Sequence, residues 1–200
     1  WLQTPSSGVS QYVDPALYAS VPPLLTNARG TYGKQIADHI IGMIIAFNHN
    51  LLCYHDQMKT RNWKRHFPVK DLWESTLVIV GLGDIGTQLA LRAKAHGLRV
   101  LAVKRTATEK PPYVDELGTE SELDAFLAQA DYVALCAAST QQTEHLLDAR
   151  RISLLPERAY VFNVGRGNLI DQHALAEALQ TGRISGAGLD VTTPEPLPVD

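Results

Sequence analysis

The sequence predicts an α/β fold, a doubly wound parallel sheet with helices on both faces, preceded by the remnant of a second domain. Three observations predict it. From residue 76 onward, apolar runs of strand length alternate with amphipathic stretches of helix length, as a parallel sheet covered on both faces requires. The first of these runs, Thr76 to Val80, leads straight into Gly81-Leu82-Gly83-Asp84-Ile85-Gly86. Residues 1–30, by contrast, are interrupted by Pro5, Gly8, Pro15, Pro22, Pro23 and Gly30, and are too short in apolar runs to build a core.

In chain order, the opening 30 residues read as irregular segments with one short strand. From Tyr32 the pattern changes: Ile36, Ile40, Ile44 and Phe47 recur at helical spacing, widened by Ile41, Ile45 and Leu51, so one long buried helix is expected to about Cys53. Residues 54–75 are basic and aromatic (Lys59, Arg61, Trp63, Lys64, Arg65, His66, Trp73) and read as a connecting loop. A strand at 76–80, a helix at 84–96 and a strand at 98–103 follow. An acidic helix near 119–129 then precedes a strand at 131–137, and a short helix near 147–153 precedes the strand Ala159 to Val164. The helix Asp171 to Gln180 stops at Gly182, a C-cap, before a last strand from about Ile184 to Val191. Pro194, Pro196 and Pro198 end regular structure.

Composition narrows the function. A net charge of −3 gives no electrostatic basis for a nucleic-acid or anionic-membrane partner. The most apolar stretch, Ile36 to Phe47, is too short for a bilayer and contains Asp38 and His39. Cys53 and Cys136 lack metal or disulfide spacing, which points to a reducing, cytoplasmic compartment. His49 and Cys53 stand at i, i+4 with no further ligands of matching spacing, so no metal site is expected. The chain begins at Trp1 rather than Met and reads as a portion of a longer protein.

The glycine run carries the first chemical assignment. Between a strand and a helix, Gly81 permits the tight turn and Gly83 lets backbone approach a pyrophosphate. Gly86 allows close helix–strand packing, and the N–H groups of Asp84 and Ile85 open the helix toward the anion. The expectation is a Rossmann-type dinucleotide-binding domain over residues 31–200, with 1–30 contributing the end of a substrate domain and a hinge. Where an NAD-preferring domain places an acid at the end of its second strand, this chain has Lys104-Arg105-Thr106. Two cations can pair with a 2′-phosphate that a carboxylate would repel, so NADP is expected over NAD. As isolated residues, the same two cations would be unremarkable surface charges.

The later strands add a second cluster. The strand Ala159 to Val164 ends in Gly165-Arg166-Gly167, an accessible guanidinium suited to bidentate carboxylate binding. The next strand ends in Leu189-Asp190-Val191, with Glu195 soon after, so Arg166, Asp190 and Glu195 are expected at one rim.

These residues carry a family resemblance. Asn27-Ala28-Arg29-Gly30-x-Tyr32-Gly33, Ala37-Asp38-His39, Val80 to Gly86, Asn163 to Asp171, and Gly188-Leu189-Asp190-Val191 with Glu195-Pro196 together resemble the D-isomer-specific 2-hydroxyacid dehydrogenases. The resemblance implies hydride transfer between NAD(P)H and a small 2-keto acid, giving a D-2-hydroxy acid, within a homodimer. It gives Arg166 the substrate carboxylate and keto oxygen, Glu195 the catalytic histidine as partner, and Asp190 the nicotinamide carboxamide. It gives Ser7 and Gly8, in the segment Ser6 to Val9, a backbone grip on the substrate carboxylate. The dimer contact is expected from the long helix and the loop with Trp63 and Trp73. The family's catalytic histidine falls beyond Asp200; His39 reads as a packing or hydrogen-bonding residue and His145 as the other candidate. The chain alone is therefore expected to bind cofactor without efficient turnover. The competing reading is a non-catalytic dinucleotide-sensing module, like the corepressors that resemble this family.

Overall fold

A computed structural model describes residues 1–9, 12–18, 21–66, 68–106 and 108–198. Two short strands, β1 (Leu2–Gln3) and β2 (Leu25–Thr26), pair in parallel at the start of the chain. Helices α1 (Gly33–Asn48) and α2 (Leu51–Thr60) follow. Then come β3 (Thr76–Val80), α3 (Asp84–Ala95), β4 (Arg99–Val103), β5 (Glu116–Gly118), α4 (Glu120–Leu127) and β6 (Tyr132–Leu135). The chain closes with α5 (Ala149–Leu154), β7 (Tyr160–Asn163), α6 (Gln172–Gln180) and β8 (Gly186–Leu189).

Six of these strands form one all-parallel sheet in the order β5-β4-β3-β6-β7-β8. The chain reverses its direction of travel between β3 and β6, which opens a crevice beyond their carboxyl ends. Side-chain alternation divides the core in two. Leu77, Ile79, Val100, Tyr132, Ala134 and Phe162 pack under α1 and α3, while Val78, Val80, Leu101, Val133, Leu135 and Val161 pack under α4, α5 and α6. The doubly wound architecture expected from the sequence is the one observed.

The capping residues are equally literal. Asp171 accepts from the N–H groups of His173 and Ala174, both at 3.1 Å, and starts α6; Gly182 ends its turn with φ +69°.

Four expectations need correction. The long helix does not reach Cys53. It ends at Asn48, and Asn50 takes a left-handed conformation (φ 53°), after which α2 leaves at 62° to α1. The apolar stripe runs out at Phe47, and past Asn48 no buried residue continues the helix along the core. His49 and Cys53 consequently stand on opposite sides of a break rather than on one helical face. Part of the expected loop, residues 54–60, is helical, on an exposed segment with no buried residue. Strand β5 was not anticipated. It has no apolar periodicity and exists through its backbone ladder with β4, from Leu101↔Glu116 to Val103↔Gly118. Finally, α1 spends its stripe within the chain: Ile40, Ile41 and Ile44 are buried in the core beneath α3. Leu51, Leu52, Met58, Trp63 and Trp73 are among the exposed apolar residues, and the Trp73 ring also lies against Gly97.

The amino ends of the central strands are closed by polar groups that satisfy one another. The Asp131 carboxylate accepts from Lys70 Nζ, Thr76 N–H and Arg158 Nε, each at 2.8 Å. Burial alone would raise this carboxyl, but those donors outweigh it and hold it below the ordinary aspartate value. Beside it, Asn48 and the buried Tyr132 hydroxyl exchange hydrogen bonds of 2.7 and 3.0 Å, fixing the end of α1 to β6.

Candidate functional site

At the opposite ends of the same strands the polar groups are left open. Gly81 follows β3 with φ +103°, and a methyl group on it would sit 2.7 Å from Ala137 N and 2.9 Å from Cys136 C. Only glycine lets this turn wedge against the end of β6. A methyl on Gly86 would overlap the Gly81 carbonyl oxygen. Gly83 differs, because a methyl there would meet nothing within 4 Å. Protein packing leaves the space over Gly83 free, which is the cradle an approaching phosphate needs.

Helix α3 begins on that turn without a side-chain cap. Its first backbone bond runs from Thr87 N–H to Gly83 O at 2.9 Å, which leaves the N–H groups of Asp84, Ile85 and Gly86 for an anion. Burial pushes the thiol of Cys136, beside the turn, up to about 12, which disfavours its thiolate. One strand over, Lys104 N–H binds Gly118 O at 3.0 Å and fixes the exit of β4. Val80 pairs with Val103, so Gly81 and Lys104 leave the sheet at the same level. Lys104 is half-buried, Arg105 and Thr106 are exposed, and neither cation has a carboxylate partner among the described residues.

The second cluster is organised by a residue that the sequence reading left without a role. Asn163, fully buried at the end of β7, accepts from Gly165 N–H at 3.1 Å and donates to Arg166 O at 2.9 Å. The signal was available: a buried amide at a strand end before a glycine implies a pinned turn. Asn163 O also accepts from Asp190 N–H at 3.0 Å, tying the exits of β7 and β8 together. Arg166 donates through Nη1 only to its neighbour Gly165 O, at 2.7 Å. Its guanidinium lies directly over Gly8, where a methyl would overlap Nη2 and come within 3.1 Å of Cζ.

The segment around Gly8 turns its carbonyls away from that guanidinium. Pro5 O accepts from the Tyr32 hydroxyl (2.9 Å), Ser6 O from Ala28 N–H (3.2 Å), Ser7 O from Asn27 Nδ2 (2.8 Å) and Gly8 O from Ser6 Oγ (2.8 Å). The N–H groups of Ser6, Ser7 and Gly8 meet no acceptor among the described residues. Free backbone donors and a guanidinium thus lie close together, a combination whose chemistry suits an anion.

A cleft of about 490 Å³ unites Ser7, Gly8, Tyr32, Asp84, Ile85, Arg166 and Asp190. Lys104, Arg105, Thr106 and the three glycines of the turn do not line it. Glu195, expected at the rim with Arg166 and Asp190, is exposed and does not line this cleft. Gln172 clamps the segment before it, accepting from Thr193 N–H at 3.0 Å and donating to Thr193 O, so the chain is tied to α6. His39 is half-exposed rather than packed, and its Nε2 faces Asp190 Oδ1 at 3.7 Å. His145 is held outside the cleft by its N–H bond to Asn168 O at 2.8 Å. Among the described residues, no group of three or more His, Cys, Asp and Glu is arranged to hold a metal.

Residues 41–200 match the NAD-binding domain of the D-isomer specific 2-hydroxyacid dehydrogenases. Over 186 residues the chain is 35% identical to a glyoxylate reductase of Thermococcus onnurineus (strain NA1), a match covering 88% of this chain and 53% of that protein. A solved D-isomer specific 2-hydroxyacid dehydrogenase family protein from Aeromonas salmonicida superposes with a TM-score of 0.91 at 36% identity, over 99% of this chain and 63% of that one. Another, from Xanthobacter autotrophicus Py2 in complex with NADPH and MES, superposes with a TM-score of 0.84 at 28% identity, over 98% of this chain and 62% of that one. The chain spans about half the length of the curated relatives it matches.

Proposed function

This chain belongs to the D-isomer-specific 2-hydroxyacid dehydrogenase family, and from that premise we propose that it serves hydride transfer between NADPH and a small 2-keto acid, giving a D-2-hydroxy acid. The observation that carries the reading is the cleft itself. An anion-receiving helix start and an unpaired guanidinium facing free N–H groups border one space. The nicotinamide, when bound, supplies the hydride.

The chain's own residues bind, orient and polarise. The turn Gly81 to Gly86 takes the pyrophosphate, with the N–H groups of Asp84 and Ile85 as donors. Lys104, Arg105 and Thr106 take the 2′-phosphate, which favours NADP over NAD. Asp190 orients the carboxamide. Ser7 and Gly8 hold the substrate carboxylate, and Arg166 holds carboxylate and keto oxygen, stabilising charge as it develops on that oxygen. Glu195 serves as the carboxylate partner of the histidine that moves the proton on that oxygen.

In this reading residues 1–30 belong to the substrate domain and 31–200 to the dinucleotide domain. Leu51, Leu52, Met58 and Trp63, exposed on and beside α2, seat a second copy of the chain. Free Cys53 and Cys136 accord with a reducing cytoplasm.

The test is to follow NADPH and NADH oxidation by the full-length protein with glyoxylate, hydroxypyruvate and a branched 2-keto acid. Turnover of at least one, faster with NADPH, is expected. Dinucleotide binding without turnover of any 2-keto acid would refute the enzymatic reading and favour the sensing module.

A further inference from the structure

Asp84 is an unexpected residue at an anion-binding turn. It is the first residue of α3, and its own N–H is one of the three left open there. A carboxylate swung over that turn would face the cofactor's phosphates at close range, where like charges in a shielded cleft repel strongly. The structure turns it elsewhere. The Asp84 carboxylate lies directly against the first residue of α1, Gly33. A methyl group on Gly33 would overlap the carboxylate, with all three of its atoms within 2.7 Å.

Nothing in the backbone demands glycine at that position, since Gly33 does not have positive φ. It is buried, and the space above its Cα is filled by this carboxylate and nothing nearer. Asp84 has no hydrogen bond or ion pair among the described residues to hold it there. Its orientation therefore depends on room, and Gly33 supplies the room.

We propose that Gly33 is a positioning residue for Asp84. By lacking a side chain, it gives the carboxylate a place against α1, away from the pyrophosphate, and so preserves dinucleotide affinity. The proposal rests on the reading of the glycine turn as the pyrophosphate site. It also couples the beginning of α1 to the cofactor turn, because displacing either moves a charge.

Titration of full-length protein with NADPH by nicotinamide fluorescence, at low and high salt, tests it. Asp84→Asn keeps the backbone N–H and removes only the side-chain charge, so it serves as the reference against which the double variant is read. Gly33→Ala should weaken binding by tenfold or more at low salt and by less at high salt, where the repulsion is screened. Asp84→Glu makes the same prediction without altering α1, since the longer carboxylate does not fit above Gly33. The double variant Gly33→Ala/Asp84→Asn should recover most of the lost affinity, which a merely structural defect in α1 would not do. Three results would overturn the proposal: an Asp84→Asn variant that binds tenfold tighter, an unchanged Kd for Asp84→Glu, or a double variant as weak as Gly33→Ala. A wild-type protein that binds no dinucleotide would overturn the underlying reading as well, and this separates the two failures.

Discussion

The two ends of the central strands solve opposite problems with similar residues. At the amino ends, Asp131 meets Lys70, Arg158 and a backbone N–H, and Tyr132 meets Asn48, so charges and hydrogen bonds close on themselves. At the carboxyl ends, three N–H groups of α3, three of the Ser6–Gly8 segment and the guanidinium of Arg166 meet no acceptor among the described residues beyond one local carbonyl. Most of these donors are exposed or half-buried, and it is their convergence on one cleft that the proposed function takes as the ligand-binding end. The satisfied end holds the sheet and α1 together. The comparison assigns stability to one edge and binding to the other, and it can be broken at either.

The largest expected effect is at the open edge. Arg166→Ala in the full-length protein should lower kcat/KM for a 2-keto acid by roughly 10²–10⁴-fold, since in the proposed function this cation meets both the carboxylate and the developing charge. NADPH affinity, measured by fluorescence, should change little, and so should the melting temperature.

At the closed edge, Asp131→Ala leaves Lys70 and the Thr76 N–H without their acceptor. Breaking a buried pair from one side costs about 3–5 kcal/mol, or roughly 10 °C in melting temperature for a chain of this size. Circular dichroism melts would show it, with dinucleotide affinity intact in the folded protein. Because the Asp131 carboxyl is lowered in the folded state, its contribution is complete above the ordinary aspartate value, about 4. It is lost as pH falls through the lowered native value. The stability gap between wild type and Asp131→Asn should therefore narrow in acid and persist at neutral pH.

A smaller effect is expected from Gly8→Ala, which crowds the Arg166 guanidinium without removing it. KM for the keto acid should rise by about an order of magnitude, about 1.4 kcal/mol, with NADPH affinity unchanged. A variant with native KM would show that Arg166 leaves Gly8 when substrate binds.

What the sequence made legible follows from which interactions are local. The unit β3-α3-β4 was readable to within a residue or two, because periodicity, the glycine turn and the strand exits lie within one short stretch. Asp171 and Gly182 bounded α6 for the same reason. The break at Asn50 was not readable, because apolar residues continue through Leu51 and Leu52 while the surface they would pack on does not. Strand β5 escaped because its hydrogen bonds, not its side chains, place it in the sheet. Strand-end logic put Arg166 and Asp190 at neighbouring strand exits, where both line one cleft, but could not show that Gly8 lies beneath the guanidinium or that the Asp84 carboxylate lies against Gly33. Those contacts join distant parts of the chain. Nor could the sequence show that Gln172 ties the segment before Glu195 to α6, because Gln172 carries no sequence mark of that role.

The claim that one edge binds and the other stabilises is tested most directly by thermal melting with and without saturating NADPH. Wild type, Asp131→Asn and Lys104→Ala/Arg105→Ala would be compared as full-length proteins. At a ligand concentration of about 100 times Kd, binding should add about 2.7 kcal/mol to the wild type, a shift of roughly 5–10 °C. The account predicts that Asp131→Asn melts lower in both conditions but keeps that shift, while the double variant melts like wild type alone and loses most of it. The reverse pattern, a lost shift in Asp131→Asn or a full shift in the double variant, would contradict it.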